Sequence, residues 1–203
     1  ISFGLETVKD AVRKALAVKA SEGVVITSDK DIRYDATATA MILSRAIKKL
    51  GNVDLVICGR QAGDWDAGQV GPILAEMLDI PCISFARKIE REGDLLVITH
   101  EIEDGVEVVE VKPPLLVSAT NHEGNVLRLA KVKDVIAAQR KPLTSWDLND
   151  LGISPDDIAS NAVTELQNLY IPEVSGHCEF ISAETAEEKT DALIAKLESL
   201  KLF

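Results

Sequence analysis

Short apolar runs alternate with helical stripes over the first eighty or so residues, and no other feature constrains the fold as tightly. Gly23-Val24-Val25-Ile26-Thr27 and Val53-Asp54-Leu55-Val56-Ile57-Cys58 are bounded by polar residues and are short enough to be strands buried on both faces. Leu5, Val8, Val12, Ala15 and Leu16 recur at spacings of three and four, which places them on one stripe of an amphipathic helix. Ala40, Leu43, Ile47 and Leu50 do the same in a second helix over about 35–50. Strands that alternate with helices form βαβ units with right-handed crossovers, so the chain reads as α/β, a doubly wound and mostly parallel sheet.

After Pro81 the pattern changes. Leu95–Ile102 and Val106–Val111 flank Glu103-Asp104-Gly105 as the arms of a β-hairpin, and Leu115–Ser118 reads as a further core strand entered through Pro113-Pro114. A helix over Val132–Arg140 stops before Pro142. The expected organisation is an α/β domain over 1–145 followed by a C-terminal helical arm over 146–203. In that arm the stretch Ser182–Leu200 has Ser182 as N-cap and Leu193, Leu197 and Leu200 on one face, a stripe that calls for something to dock against.

Composition narrows the partners. With 46% hydrophobic and 27% charged residues, the 203-residue chain has the make-up of an ordered protein. Its formal charge of −11 repels phosphate backbones and anionic headgroups, so nucleic acid and membrane surfaces are excluded as main partners. Cys58, Cys82 and Cys178 are too scattered for a disulfide framework or a metal-binding pair, and read as reduced thiols of a cytoplasmic (or mitochondrial matrix) protein. No apolar run approaches the roughly 20 residues of a transmembrane helix. His100, His122 and His177 lie far apart with no second ligand at metal spacing, and read as surface or hydrogen-bonded histidines.

The chemistry concentrates after the strand that ends at Cys58. Gly59-Arg60-Gln61-Ala62-Gly63-Asp64-Trp65-Asp66-Ala67-Gly68-Gln69-Val70-Gly71-Pro72 joins that strand's carboxyl end to a helix over Ile73–Leu78, with Pro72 in its first turn. In open α/β sheets ligands bind at that edge, and free N–H groups at a helix start favour phosphate. Gly63, Gly68 and Gly71 let the backbone approach a ligand, Asp64 or Asp66 has the chemistry to accept from ribose hydroxyls, and Gln69 to donate. Glycines alone are common in such loops, and the run matches neither G-x-G-x-x-G nor G-x-x-x-x-G-K-[ST].

The same run strongly resembles the nucleotide loop of electron transfer flavoprotein beta subunits, in which Gly-Lys/Arg-Gln-Ala-x-Asp is followed by Asp and then Gln-Thr/Val-Gly. Ala15-Leu16-Ala17 with Ala20 resembles that family's Ala-Leu-Ala-x-Gly-Ala segment, and Asp35-Ala36-Thr37-Ala38-Thr39-Ala40 its Asp-Thr-x-Ala-Thr. The resemblance implies an adenine-nucleotide alpha-hydrolase-like fold and an electron carrier subunit rather than an enzyme. It implies that the loop binds AMP or a second FAD, the latter in electron-bifurcating members, while another FAD is shared with or held by the alpha subunit.

On that resemblance the cofactor-binding residues are Phe3, beside the adenine, Thr39, and the loop residues Gly59, Arg60, Gln61, Ala62, Gly63, Asp64, Trp65, Asp66, Ala67, Gly68, Gln69 and Val70. Asn125–Ala138 resembles the family's segment for docking an acyl-CoA dehydrogenase-type or other redox partner, with Val132 as apolar anchor and Arg128 and Lys133 beside it, although the family's Pro and Tyr are absent there. Trp65, Ala36 and Lys19 depart from the family pattern, and its first strand and helix are not visible, Ile1-Ser2-Phe3-Gly4 reading as the end of a strand. The alternative reading is an adenine-nucleotide-binding enzyme or ATP sensor of a related fold, with Arg60 and Asp66 around a triphosphate.

Overall fold

A computed structural model describes residues 1–28, 35–173, 176 and 178–202, so that His177 lies outside the described residues. In chain order the first elements are β1 (Ser2–Gly4), α1 (Val8–Ala17), β2 (Val24–Thr27), α2 (Ala36–Leu50), β3 (Leu55–Gly59), α3 (Val70–Leu78) and β4 (Cys82–Glu92). There follow β5 (Leu95–Ile102), β6 (Gly105–Val111), β7 (Leu115–Ala119), α4 (Val132–Arg140), β8 (Thr144–Trp146), α5 (Pro155–Asn161) and α6 (Ala186–Ser199). Residues 1–166 form one compact unit and residues 167–203 a second.

The first unit holds two sheets. One has the order β1-β2-β8 and is parallel throughout. The other has the order β3-β7-β4-β5-β6, in which β3, β7 and β4 run parallel and the hairpin β5–β6 continues antiparallel from β4. Because β7 lies between β3 and β4, the connection through α3 crosses over one strand, the arrangement a βαβ crossover produces.

Helix α2 serves both sheets. Met41, Ile42 and Ala46 pack with Phe3 and Ile26 of the first sheet, while Ala40 and Ile47 pack with Leu74 and Ala75 of α3 and Leu116 of β7. The helix opens on Asp35, whose side chain accepts from the Ala38 N–H at 2.6 Å and so satisfies one of the donors a helix start leaves unpaired. It closes on Gly51 at φ 65°, a conformation glycine adopts without a Cβ clash. Helices α1 and α4 pack together around Val12, Leu16 and Ala138, and a side-chain bond from Lys19 to Asp134 at 2.6 Å joins them.

The fold class expected from the alternation is the one observed, a mixed α/β structure with mostly parallel strands. Three local readings change. The apolar pattern does not predict β4, the longest strand among the described residues, because Arg87, Lys88, Glu90, Arg91 and Glu92 dilute it. Helix α3 begins at Val70, three residues before Ile73, which leaves Pro72 in the first turn. Trp146, Leu148, Leu151, Ile153 and Ile158 pack into the cluster around Phe3, within the compact unit that ends at Leu166. The last helix is capped by Thr185 in a reciprocal pair with Glu188, not by Ser182.

Candidate functional site

The loop from Gly59 to Val70 leaves the carboxyl end of β3 and enters α3. Its first residue past the strand is fixed by the Arg60 N–H, which donates to the carbonyl of Ala119 at the end of β7 at 3.0 Å. Gly68 sits at φ 63°, in the left-handed region where a side chain would be strained. Gly71, in the first turn of α3, lies so close to the sheet that a Cβ there would stand 3.0 Å from Cys58 Sγ. The helix start is therefore pressed against β3 and β7.

These features enclose a cavity of about 320 Å³ lined by Cys58, Gly59, Arg60, Gln61, Ala62, Trp65, Ala67, Gly68, Gln69, Val70 and Gly71, with Ala36 from the far side. Ala36 is the first residue of α2, and Val70 and Gly71 open α3. Two helix N-termini thus border one cavity: that of α2 already carries the Asp35 carboxylate as its cap, whereas that of α3 has no side-chain cap and offers the partial positive charge that favours an anion. Arg60 adds the only formal cation among the lining residues. Burial, with a smaller contribution from Cys82, pushes the Cys58 thiol up, so it stays protonated at neutral pH.

Most of the residues singled out in the loop meet here, but not all. Gly63, Asp64 and Asp66 do not line the cavity. The Asp64 carboxylate accepts from the Trp65 N–H at 3.0 Å, and Asp66, at φ 54°, accepts from the Gln61 side-chain amide. Both acids named as ribose acceptors are thus engaged in shaping the loop. Phe3 packs in the core with Ile26, Met41 and Ile42, away from the cavity lining. Thr39, one turn into α2, holds a buried hydroxyl with no hydrogen-bond partner, and it too is not part of the lining. Ala36, which departs from the family pattern where a Thr is usual, lines the cavity from the first turn of α2.

The segment before α4 forms a separate surface. Arg128 lines a cleft of about 730 Å³ between residues 127–130 and helix α1. Val132, the first residue of α4, is 77% exposed, and Lys133 beside it is exposed as well. Leu127 and Leu129 are similarly open, so this region presents apolar side chains next to cations.

A largely parallel sheet with a glycine-rich loop at its carboxyl edge, set between two helix N-termini, defines a doubly wound α/β protein with a crevice at a crossover, the position where open α/β sheets in general bind ligands. The electron transfer flavoprotein domain matches residues 1–151, and the chain belongs to that family. It is similar to the electron transfer flavoprotein subunit beta of Thermoanaerobacterium thermosaccharolyticum, 42% identical over 172 residues that make up 80% of this chain and 65% of that protein. The subunit of the same name in Clostridium acetobutylicum is 36% identical over 98% of this chain and 76% of its own length. The caffeyl-CoA reductase-Etf complex subunit CarD of Acetobacterium woodii is 32% identical over the same shares. The chain therefore spans about two thirds to three quarters of the length of these relatives. The name shared by the first two describes an electron-transfer subunit rather than an enzyme. Among the described residues no helix is long and apolar enough to cross a membrane.

Proposed function

We propose that this chain is the beta subunit of an electron transfer flavoprotein and that the cavity at Gly59–Gly71 holds an adenine nucleotide, either AMP or the AMP portion of a second FAD. The observation that carries this reading is the convergence of the uncapped N-terminus of α3, a glycine in the left-handed region and Arg60 on one cavity, a set of donors and partial charges suited to a phosphate. At about 320 Å³ the cavity falls at the small end of the roughly 300–1,000 Å³ typical of ligand clefts, a size suited to a mononucleotide moiety.

In this reading the redox chemistry is that of the flavin, and the chain's own residues bind and orient. The loop amides and Arg60 hold phosphate, and Trp65, 46% exposed at the rim, covers the ligand's ring system. The thiol of Cys58 stays neutral at the floor. Residues 125–140 dock a dehydrogenase through Val132, with Arg128 and Lys133 steering an acidic partner surface. The unit over 167–203 docks on an alpha subunit, and the complex works in the cytoplasm.

Mass spectrometry of the nucleotide released by denaturing the purified complex tests the assignment. Recovery of AMP, or of FAD in excess of one per complex, supports it. A complex that releases neither, and that takes up neither AMP nor FAD on titration, overturns it.

A further inference from the structure

The bulge in β4 places one aromatic residue in a conformation that needs an explanation. Between Ile83 and Ala86 the register of β4 against β7 slips, and Phe85 sits at φ 57°. A bulky side chain in the left-handed region is a steric outlier, and residues are held that way, under strain, only where the surroundings over-determine them. Here the Phe85 N–H donates to Ser118 Oγ at 3.3 Å, which anchors the bulge to β7. A bulge redirects the side chain it carries. The ring of Phe85 is accordingly 40% exposed rather than packed in the cluster that takes its neighbours Ile83 and Ala86.

What the ring meets is Arg60. The guanidinium carbon lies 4.9 Å from the ring centroid, within the range of a cation–π contact. None of the ion pairs found among the described residues involves Arg60, and Arg60 lines the cavity. A long, flexible cation with neither a counter-ion nor a packing surface would sweep through many rotamers, and each phosphate it met would have to arrest them.

We propose that Phe85 is the positioning residue for Arg60: its ring, re-aimed by the strained bulge, pre-orders the guanidinium at the cavity mouth for the anionic group of the ligand. The proposal rests on the nucleotide reading of the cavity and assigns to β4 a part in it. Phe85 acts through Arg60, so its effect on binding vanishes when the guanidinium is removed.

A double-mutant cycle on the full chain, purified with its partner subunit, stripped of nucleotide and titrated with AMP and with FAD, tests this. Arg60→Ala weakens binding by about tenfold, the loss expected for a charge-assisted contact to phosphate. Phe85→Leu weakens it by about two- to five-fold in the wild-type background and leaves it unchanged in the Arg60→Ala background. Phe85→Tyr keeps the aromatic face and binds as the wild type does. Phe85→Gly relieves the backbone, so it melts no lower than Phe85→Leu yet binds as weakly. An equal loss from Phe85→Leu in both backgrounds, or binding that follows melting temperature across the series, overturns the proposal and leaves a structural bulge. Wild-type binding that is blind to Phe85 sinks the proposal alone, whereas a wild type that binds neither nucleotide sinks the cavity's assignment with it.

Discussion

Asp35 and Thr164 meet through a single carboxylate oxygen: Oδ2 of Asp35 accepts from both the backbone N–H and the hydroxyl of Thr164, each at 2.8 Å. The same oxygen accepts from the Val163 N–H at 2.9 Å, while Oδ1 caps α2 through Ala38. One buried side chain therefore pins the last residues of the first unit to the start of a helix that borders the cavity. Burial pushes the carboxyl's pKa up, but the bonds from Ala38, Thr164 and Val163 outweigh it and hold the group below its ordinary range.

The sign of the pH dependence follows. A carboxyl whose folded pKa is depressed stabilises the fold above its unfolded pKa of about 3.9, and that stability drains away as pH falls through the lower folded value. Asp35→Ala is expected to cost about 2–4 kcal/mol at pH 7, since it removes a cap and strands several donors. Urea denaturation at pH 7 and at pH 3 checks this: the gap between wild type and variant narrows in acid. A gap that holds constant would mean that the carboxylate's charge contributes nothing.

Gly68→Val is expected to abolish nucleotide retention while the rest of the first unit stays folded. Its φ of 63° is one that a β-branched residue resists, so the loop must rearrange where its amides are proposed to face phosphate. Absorbance of the purified variant's extract reads the result, and nucleotide content equal to the wild type would count against the loop.

Gly71→Ala places a methyl group 3.0 Å from Cys58 Sγ and forces α3 off the sheet, at about 1–3 kcal/mol. Cys58→Ala in the same chain removes the obstructing atom. The double variant is therefore expected to recover most of the loss seen in thermal melts, and additive losses would show that the obstacle is elsewhere.

Val132→Asp buries an unpaired charge in a docked complex, so electron transfer with the partner dehydrogenase is expected to fall at every salt concentration. Lys131→Glu with Lys133→Glu instead slows encounter, a defect that shrinks as salt shortens the Debye length to roughly 8–10 Å. Stopped-flow rates across a salt series separate the two, with flavin content unchanged in both. Wild-type rates throughout would make the segment an ordinary surface.

Ending the chain after Leu166 is expected to leave the first unit folded and to prevent co-purification with an alpha subunit. Leu193 and Ile194 on α6 are 45% and 42% exposed, an apolar strip that the second unit leaves open. Normal heterodimer yield from the shortened chain would move the interface to residues 1–166.

The elements legible in the sequence were those with a clean period. The stripe on α2 and the unbroken Val24-Val25-Ile26 run both follow from burial, and Glu103-Asp104-Gly105 marks the hairpin, whose turn is Glu103-Asp104 with Gly105 opening β6 opposite Ile102. Strand β4 escaped because its outer half is solvated and charged on both sides of the pleat, and because Phe85 breaks the alternation at the bulge. In the cavity, the loop's position at a strand end was readable from the order of elements. The local bonds that engage Asp64 and Asp66 within the loop and the pairing of Arg60 with Phe85 depend on the folded placement, for which a run of residue types carries no signal.

The pairing of Val24 with Thr144 joins residues 120 positions apart. A nascent chain synthesised at about 5–20 residues per second waits roughly 6–24 s between the emergence of β2 and that of the strand that covers its edge. During that interval β2 offers an unpaired row of amides and carbonyls, the kind of template on which strands of other chains add. Its first three residues are wholly apolar, so the hazard lies in synthesis rather than in the finished protein. Helices α1 and α2, both complete long before β8, are early enough to cover the faces of that strand while the ribosome catches up.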